Sequence, residues 1–452
     1  MQIIIVGCGK VGSTLTQELS KEGHDISIID MNDDVVEEIS NNYDTMGIVG
    51  NGASYGVLME AGIENADLLI AVTNSDELNL LCCLIARKAG KCKTIARVRN
   101  PVYSEEADFI KQNLGLSMVI NPEYEAACEI TRLLRFPSAI DISVFNRGKV
   151  EIMNFKVKKG CILNGMQIKN LHKELKCDVL VTTVERNGEV IIPNGELTIA
   201  ENDIVSIITT HKKGMEFFEK IDMIINPVKD AMIIGGGNVS YYLAKQLLKS
   251  GIKVKIIEQK ESRCEELTEL LPKAMIIHGD GTDKDLLMEE GISKAGSFAS
   301  LTGLDEENVL LSLYARSKMN GKLITKVNRL RFDEVINSLD LGSIISPKYI
   351  TSKYILKYVR AMNNTIGCNI ETLYKIKKDK AEALEFYVNE NSKLIGIPLE
   401  KLALKDNLLI CCINRNGNII TPKGQDHIEK GDYVIVVTTN VRLNDLGDIV
   451  RR

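Results

Sequence analysis

Short apolar runs alternate with amphipathic stretches from Met1 to about Leu134. The runs are rich in Ile, Val and Leu, and helical periodicity separates them. This alternation is typical of β-α-β units built around a parallel sheet. Six strands with intervening helices are predicted, the full number of a doubly wound sheet. They are Gln2–Val6, Asp25–Ile29, Thr45–Val49, Leu68–Val72, Lys93–Val98 and Ser117–Ile120.

A different pattern follows from about Ile140 to Ile225. Here short β-runs are separated by turns, and Asn187-Gly188 lies between two apolar runs. Asn-Gly in that setting is a strong hairpin signal. A small α+β module is therefore predicted, with strands Val150–Val157, Val179–Arg186, Val190–Pro193 and Ile204–Thr209.

The whole arrangement occurs twice. The segment Ile3–Gly12 recurs as Ala231–Ser240, a shift of 228 positions, and Leu58–Ile63 recurs as Leu287–Ile292, a shift of 229. The Arg-Asn-Gly of the hairpin returns at Arg415. A register held this long indicates internal duplication. We predict two Rossmann-like doubly wound parallel sheets, each followed by a small α+β module, with domains at 1–136, 137–227, 228–362 and 363–452.

Composition excludes several classes of protein. The 56 basic and 61 acidic residues are interspersed, without the basic tract of a duplex nucleic-acid binder. No apolar run reaches the roughly 18 residues of a transmembrane helix, and the N-terminus enters a strand without a signal-peptide pattern. The 11 Cys and 5 His lack zinc-site spacing, so reduced thiols and no metal are expected.

A glycine-rich motif provides the first candidate chemistry. Gly7, Gly9 and Gly12 follow the first strand and precede a helix predicted over Ser13–Lys21. In this context the first glycine permits a tight turn, the second lets a pyrophosphate approach the backbone, and the third lets helix pack on strand. Free N–H groups and the helix dipole would face the phosphates.

An acidic residue ends the second strand. Asp30 lies eighteen residues beyond Gly12, where a carboxylate can accept both ribose hydroxyls and repels a 2′-phosphate. This favours NAD(H) or a plain adenine nucleotide over NADP(H). The alternative is a doubly wound domain whose loop holds no ligand.

Other candidates lie where later strands end. Asn51-Gly52 offers close backbone approach to adenine or ribose, and Thr73-Asn74 places a hydroxyl at the sheet's carboxyl edge. Arg97 and Arg99 alternate along strand five, so either could reach a phosphate. The alternative for the arginines is a solvated edge or an ion pair with Glu77.

The second half departs from the motif in two places. It keeps Gly235, Gly237 and the acidic Glu258, but Ser240 replaces the third glycine and Lys326 replaces the first-half arginine. Lysine keeps the charge and loses bidentate geometry. We expect this second site to bind more weakly or with another preference, or to be empty.

Catalysis is not predicted. A dehydrogenase needs a second domain that brings a proton-transferring group to the nicotinamide. Each Rossmann-like unit is instead followed by a small hairpin-rich module, and none of the five His lies in a recognisable catalytic setting. In the glycine loop, Cys8 could act as a thiol switch, but filling of space by a small residue is the simpler interpretation.

The order of these motifs resembles the TrkA family of Trk-system potassium uptake proteins. The shared features are the glycine motif, the strand-end Asp30, the Gly-Asn/Asp-Gly pair and Thr73 with Asp76-Glu77-x-Asn79, all duplicated. The resemblance implies RCK N-terminal (KTN) domains, each with an RCK C-terminal (TrkA-C) subdomain. It implies a non-enzymatic regulatory subunit that binds NAD(H), with ATP and ADP as alternative ligands.

The resemblance also implies partners and a place in the cell. Four chains would form a homotetrameric gating ring of eight RCK units at the cytoplasmic face of the membrane, without inserting. There they would contact a membrane-embedded Trk channel subunit of the TrkH/TrkG type. Linkers Asn121–Pro137 and Ser346–Asn364 would transmit nucleotide-dependent movements. An NAD-dependent oxidoreductase, and a ligand sensor of another transporter responding for example to cyclic di-AMP, stay open as alternatives.

Carried onto this chain, the resemblance and the residue-level reasoning yield one set of cofactor-binding candidates. Asn51 stands where the family has Asp, which affects how adenosine would be held, and Ser240 departs from the pattern in the second half. The candidates are Gly7, Cys8, Gly9, Lys10, Val11, Gly12, Asp30, Met31, Asn51, Gly52, Thr73, Asn74, Glu77, Arg97, Gly235, Gly237, Asn238, Val239, Glu258, Asp280, Gly281, Thr302 and Lys326.

Overall fold

The computed structural model describes most of the chain and divides it into two compact units. The described residues are 1–136, 138–145, 148–223, 228–328, 336, 339–363, 370–376, 380–439, 443 and 445–451. Unit 1 combines residues 1–131 with 229–356, and unit 2 combines 132–228 with 357–452. Each unit therefore takes one segment from each half of the duplication.

The first sheet of unit 1 confirms the predicted doubly wound fold. Its strands run in the order β3-β2-β1-β4-β5-β6, all parallel where they pair. The ends differ from the predicted ones by one residue at most. The strands are β1 Gln2–Val6, β2 Asp25–Asp30, β3 Met46–Val49, β4 Leu68–Ala71, β5 Lys93–Arg97 and β6 Met118–Ile120.

Helices connect these strands and cover the sheet. Residues Ile3 to Val6 are all buried, because a parallel sheet carries helices on both faces. One prediction is wrong: the first helix begins at Lys10, not Ser13, so Gly12 lies inside it. The helices are α1 Lys10–Lys21, α2 Asp33–Tyr43, α3 Tyr55–Glu60, α4 Asp76–Ala89, α5 Pro101–Glu105, α6 Ala107–Leu114 and α7 Pro122–Arg135.

The second sheet of unit 1 repeats the first, with strand order β14-β13-β12-β15-β16-β17. Its strands are β12 Asp230–Ile234, β13 Lys253–Glu258, β14 Met275–His278, β15 Ser297–Ser300, β16 Lys322–Lys326 and β17 Ser343–Ile345. Its helices are α10 Asn238–Lys249, α11 Glu261–Leu270, α12 Lys284–Glu289, α13 Asp305–Lys318 and α14 Pro347–Asn363. Both predicted proline-initiated helices, α7 and α14, are present, while the linker ends Pro137 and Asn364 fall outside the described residues.

The two halves of unit 1 contact each other through α7 and α10. Asn121 Nδ2, just before α7, donates to the hydroxyl of Tyr242 at 2.9 Å. The Tyr242 ring meets the ring of Tyr124 edge-on, with centroids 5.6 Å apart. Gln246 Nε2 lies 3.3 Å from the Cys128 sulfur. Because the Tyr242 hydroxyl is buried and satisfied, this contact stabilises one relative placement of the two sheets.

Unit 2 consists of two small antiparallel sheets. The first has order β10-β9-β11-β8-β7 and the second β18-β19-β22-β20-β21. Helices α8 Ile168–Leu175 and α9 His211–Lys220, and the strands β7, β18 and β19, were not among the predicted elements. The strands are β7 Asp141–Phe145, β8 Val150–Lys156, β9 Leu180–Arg186, β10 Glu189–Ile191, β11 Ile204–Thr209, β18 Ile370–Ile376, β19 Ala381–Tyr387, β20 Leu408–Arg415, β21 Asn418–Ile420 and β22 Tyr433–Thr438.

The two sheets of unit 2 share a core. Phe145 and Ile152 of the first module pack in one cluster with Ala383, Cys411 and Cys412 of the second. Both Asn-Gly hairpin turns are present, with the asparagine and glycine at positive φ as the turn requires. Within the described ranges, every helix of the chain is too short or too polar to span a lipid bilayer.

Candidate functional site

The first glycine loop has the shape its three glycines require. Gly7 has φ +95°, and a Cβ on it would lie 2.7 Å from the Thr73 backbone nitrogen. A Cβ on Gly12 would lie 1.9 Å from the Gly7 carbonyl oxygen. At Gly9 a Cβ would have no heavy atom within 4 Å. Packing therefore requires the first and third glycines, whereas the second leaves open space beside its backbone.

Helix α1 begins beside that space without a side-chain cap. Gly9 is its N-cap and can supply no capping group, so the N–H groups of the first turn can bind a ligand or water. Gly237 holds the same position at α10, again with open space around the missing Cβ. Two uncapped helix N-termini with adjoining space fit the phosphates of a nucleotide.

The strand-end acids contact the loops directly. Asp30 accepts the N–H of Cys8 at 2.6 Å and that of Asn32 at 3.0 Å, one on each oxygen. Glu258 accepts the N–H of Gly236 at 2.6 Å and that of Lys260 at 2.8 Å. Each carboxylate thus orders its glycine loop. Since an ionised carboxylate has about four lone-pair sites, each could also accept a ribose hydroxyl.

Cys8 is a packing residue in this structure. Its side chain is buried, and burial followed by the charge of Asp30 raises the pKa of the thiol to about 12. A thiol with this pKa carries almost no thiolate near neutral pH, and the thiolate is the reactive form. The geometry therefore favours space filling over a thiol switch.

Ser240 fits the second loop by making a hydrogen bond. Its buried hydroxyl donates to the Gly235 carbonyl oxygen, the counterpart of the oxygen that a Cβ on Gly12 would strike. A Cβ is therefore accommodated at this position in the second half. The departure from glycine leaves the loop and its helix N-terminus intact.

Two asparagines that the candidate set omits hold the strand ends. Asn79, fully buried, accepts the backbone N–H of Thr73 at 2.7 Å and its hydroxyl at 2.8 Å, and donates to the carbonyls of Thr73 and Arg97. Asn308 likewise accepts the backbone N–H of Thr302 at 2.9 Å and donates to the carbonyls of Thr302 and Lys326, while the Thr302 hydroxyl donates to the Leu304 carbonyl. The hydroxyl of Thr73 is therefore engaged within the protein. The repeated Asp-Glu-x-Asn motif was the sequence signal for this clamp.

The two arginines of strand five have different environments. Arg97 is buried, and its guanidinium donates to the Thr73 carbonyl and contacts the Asn74 side-chain oxygen at 3.5 Å. Arg99 donates to Glu123 at 2.8 Å. The predicted alternative of an ion pair with Glu77 is wrong.

Glu77 instead accepts hydrogen bonds from two hydroxyls. Its oxygens receive the Ser75 hydroxyl at 2.8 Å and the Tyr103 hydroxyl at 3.1 Å. Its own backbone N–H, and then these two hydroxyls, lower the pKa of the exposed carboxyl. The side chain therefore stabilises the start of α4, and it does not neutralise the arginines.

The Gly-Asn-Gly segment is explained by packing. A Cβ on Gly52 would lie 2.2 Å from Val6 Cγ1, and one on Gly281 would lie 2.2 Å from Ile234 Cγ2. Both glycines therefore let a loop cross the first strand of its sheet, where the prediction invoked close approach by a ligand. Asn51 accepts the Ala53 N–H at 2.9 Å.

Asp280 holds the same turn in the second half. Its carboxylate accepts the backbone N–H of Thr282 at 2.8 Å and the hydroxyl at 2.7 Å, and these bonds lower the pKa of Asp280. Unlike Asn51, this residue keeps a negative charge beside the glycine loop. The two halves therefore present different charges at this position.

A cavity of about 970 Å³ unites residues from both halves of unit 1. Every second-half candidate lines it, as do five from the first half: Gly9, Lys10, Val11, Asn74 and Arg97. The remaining first-half candidates are outside its lining: Gly7, Cys8, Gly12, Asp30, Met31, Asn51, Gly52, Thr73 and Glu77. Lining residues that the candidate set omits include Arg99, Glu123, Lys260, Arg263, Asn328 and Lys348.

Positive charge is concentrated in this cavity. Burial, and then the charge of Arg99, lowers the pKa of Arg97. Burial lowers the pKa of Lys326 against the opposing charges of Asp305 and Glu123, and the charge of Lys10 adds to the lowering. Lys10 comes from the first half and Lys326 from the second. Cations of both halves therefore lie close enough to act on one anionic ligand.

Family models match both halves of the chain. The TrkA-N domain model matches residues 3–122 and 231–347, and the TrkA-C domain model matches 152–222 and 383–451. The Trk system potassium uptake protein TrkA homolog 2 of Methanosarcina mazei is 32% identical over 96% of this chain and 97% of its own length. The Archaeoglobus fulgidus homolog is 32% identical over the full length of both chains. TrkA of Haemophilus influenzae is 30% identical over 96% and 95%.

Solved structures share the fold. The GsuK RCK domain superposes with a TM-score of 0.63 at 17% identity, covering 97% of this chain and 92% of its own. The GsuK channel bound to NAD gives a TM-score of 0.62 at 17% identity, covering 97% and 77%. Together with the duplicated family matches, these similarities confirm both the predicted architecture and the resemblance on which the candidate residues were chosen.

Proposed function

Because this chain belongs to the TrkA family of Trk-system potassium uptake proteins, we propose that it is a nucleotide-binding regulatory subunit of a potassium uptake system. The observation that carries the proposal is the shared cavity, where two uncapped helix N-termini, Gly9 and Gly237, open beside cations of both halves. This is an anion-binding arrangement of the kind that holds nucleotide phosphates.

The proposed ligands are NAD(H) and, as alternatives, ATP and ADP. Support comes from the strand-end acids, since a carboxylate at that position suits an unphosphorylated ribose. Asp30 belongs to the first loop and Glu258 to the second. A related fold is known with NAD bound, in the GsuK channel.

The two nucleotide positions would be coupled. A nucleotide whose phosphates lie at the second loop would be within the field of Lys10 and Arg97 from the first half. A change in occupancy at one loop then changes the affinity at the other, by the same factor in both directions. Coupling of this kind needs no long-range pathway, because the cations line one cavity.

Regulation follows from differential affinity. In the proposed assembly four chains form a ring at the cytoplasmic face of the membrane, beneath a TrkH/TrkG-type channel subunit. A nucleotide can shift such a ring between two shapes only by as much as it prefers one of them. Helices α7 and α14, which follow the two sheets of unit 1, are the segments through which the preference would reach the rest of the chain.

Ligand identity is tested by isothermal titration calorimetry of the purified chain. NADH is expected to bind more tightly than NADPH, because Asp30 and Glu258 repel a 2′-phosphate. The variants Asp30→Asn and Glu258→Gln remove the charge and keep one acceptor oxygen for one of the two backbone N–H groups that each carboxylate binds, so each should narrow the difference between the NADH and NADPH affinities. Tighter binding of NADPH than NADH to the wild-type chain would contradict the ribose assignment.

The regulatory part of the proposal has a separate test. NADH affinity is measured for the chain alone and for the chain co-purified with the channel subunit of the same organism. Linkage requires the two affinities to differ if the nucleotide favours a channel-bound shape. Identical affinities would contradict the regulatory role and leave nucleotide binding itself unaffected.

A further inference from the structure

A second cavity, of about 450 Å³, lies in unit 1 at the amino ends of strands β12, β13 and β14. The glycine loop follows the carboxyl end of β12, so this cavity is at the opposite edge of the sheet. We call it the lysine cavity, after Lys253, Lys255, Lys273 and Lys294 in its lining. Two carboxylates, Asp230 and Glu290, line it as well.

Both carboxylates are already engaged. Lys255 Nζ donates to the Glu290 carboxylate at 2.6 Å and to the Glu290 backbone carbonyl at 2.7 Å. Asp230 accepts the backbone N–H of Gly296 at 2.8 Å. These bonds fix one lysine against the wall and tie the aspartate to the neighbouring loop.

The other three lysines are available for a ligand. In the described part of the chain, the side-chain ammonium groups of Lys253, Lys273 and Lys294 make no hydrogen bond or ion pair. Lys253 and Lys255 lie two apart on β13 and therefore project from the same face of the strand. Met275, beside Lys255 in the sheet register, is 55% exposed and adds an apolar wall.

The internal duplication supplies a comparison within one molecule. The first-half counterparts of Lys253, Lys273 and Lys294 are Asp25, Asp44 and Asn65. Lysines near helix ends can stabilise the helix dipole, and that is the simplest structural reason for them. The first half builds the same sheet and helices with acids and an amide at these places, so the fold does not require the lysines.

We propose that the lysine cavity is a binding site for a small phosphate-bearing anion, separate from the glycine loops. Its volume lies within the range of small-molecule sites. Ammonium groups bind phosphate as mobile point charges, and three unpaired ones favour a ligand carrying two or more negative charges. The phosphate belongs either to a soluble compound or to a lipid headgroup, and the two sources share this recognition chemistry.

The test replaces the lysines by their first-half counterparts. The triple variant Lys253→Asp, Lys273→Asp, Lys294→Asn is titrated with inorganic pyrophosphate by calorimetry, with and without saturating NADH. Pyrophosphate affinity should fall by roughly tenfold or more, since each ammonium acts at short range and is only partly screened. The triple Lys→Arg variant keeps the three positive charges and should therefore bind pyrophosphate like wild type. The NADH affinity of both triple variants should match that of wild type.

A matched control makes the same change of charge elsewhere. The variant Lys158→Asp, Lys159→Asp, Lys173→Asn alters exposed lysines of unit 2 and should bind pyrophosphate like wild type. Sedimentation with phosphatidylcholine vesicles containing phosphatidylserine tests the lipid source. Vesicle binding that is lost only in the Lys253→Asp, Lys273→Asp, Lys294→Asn variant, here called the cavity variant, would identify a lipid headgroup as the ligand. The proposal would be overturned if wild type and the cavity variant bound pyrophosphate and vesicles equally, or if wild type bound neither. The difference between wild type and the cavity variant isolates the lysine cavity, because both proteins carry the same glycine loops.

Discussion

The buried side chain of Asn79 joins the ends of strands β4 and β5, so its removal should destabilise the first sheet at the site. Its side chain makes two acceptor contacts to Thr73, at 2.7 and 2.8 Å, and donates to the Arg97 carbonyl at 2.9 Å. In Asn79→Ala the Thr73 hydroxyl keeps a partner in the Ser75 carbonyl. The backbone N–H of Thr73 and the carbonyl of Arg97 lose theirs.

The magnitude follows from these two groups. A buried polar group left without its hydrogen bond costs about 1–3 kcal/mol, so the loss of two such bonds should lower the unfolding free energy by about 2–6 kcal/mol. Urea denaturation measures the loss, and hydrogen exchange locates it at β4 and β5. NADH affinity should fall as well, because Thr73 abuts Gly7 in the loop.

A matched variant separates this effect from the loss of any asparagine. Asn113 is exposed on α6 and donates only to the Phe109 carbonyl one helical turn earlier, at 2.9 Å. Asn113→Ala should change stability by no more than about 0.5 kcal/mol, as is usual for surface substitutions. If Asn79→Ala and Asn113→Ala lower the unfolding free energy equally, the role of Asn79 in joining the ends of β4 and β5 would be contradicted.

Two further predictions concern unit 2 and the loop cysteine. Arg186 binds the buried carboxylate of Asp203 through two nitrogens, at 2.8 and 2.7 Å. Arg186→Met should lower the unfolding free energy by about 3 kcal/mol at pH 7. Lys169→Met, which breaks the exposed ion pair with Glu196, should lower it by less than about 1 kcal/mol. Burial opposes ionisation of Asp203, but the hydrogen bonds from Arg186 and the Ala200 N–H outweigh it and lower the pKa of the carboxyl in the folded state. The stability contributed by this ion pair is therefore fully present above the unfolded-state pKa of about 3.9, and it is lost as the pH falls through the folded-state pKa. In urea denaturation the gap between wild type and Arg186→Met should therefore shrink in acid, and a gap that stays constant would refute the pairing. Burial raises the pKa of the Cys8 thiol to about 12, so iodoacetamide at pH 8 should alkylate Cys8 more slowly than the half-buried Cys161. Peptide mapping that shows equal rates would contradict the packing role.

Much of unit 1 could be predicted because its signals are local and repeated. Uninterrupted apolar runs mark strands that are covered by helices on both faces. The backbone at position 7 has φ +95°, a conformation that favours glycine. The duplication repeats most of these signals in the second half, with Ser240 and Lys326 as departures. The start of α1 was placed three residues late because Gly12 was treated as part of the loop, although its lack of a Cβ serves helix packing.

The missed elements of unit 2 carry weaker local signals. Helix α8 has only eight residues, and β7 is an edge strand of five residues that pairs with one neighbour. Strand β19 carries Glu382 and Glu385 among its apolar residues, which breaks the pattern of a buried strand. Their formation depends on pairing across each small sheet and therefore on tertiary context.

The shared cavity depends on long-range placement. Motif reasoning treated each glycine loop as a separate site with its own arginine or lysine. The contact of Tyr242 with Asn121 and Tyr124 brings the halves together, and it involves residues more than a hundred positions apart without a motif of their own. Within the first half, Arg99 pairs with Glu123, 24 positions away, a contact that strand alternation alone did not reveal.

The central claim is that nucleotide phosphates lie against the backbone at Gly9 and Gly237, and two alanine variants test it most directly. Both residues have extended backbone, with φ of −65° and −68°, and a Cβ on either would meet no atom within 4 Å. Gly9→Ala and Gly237→Ala should therefore fold with an unchanged melting temperature. Calorimetry should nevertheless show roughly tenfold or weaker NADH binding at the altered loop, because the methyl group occupies the space of the pyrophosphate. Gly56→Ala, on helix α3 with its nearest atom at 3.9 Å, should bind like wild type. Unchanged NADH affinity in both loop variants would contradict the account.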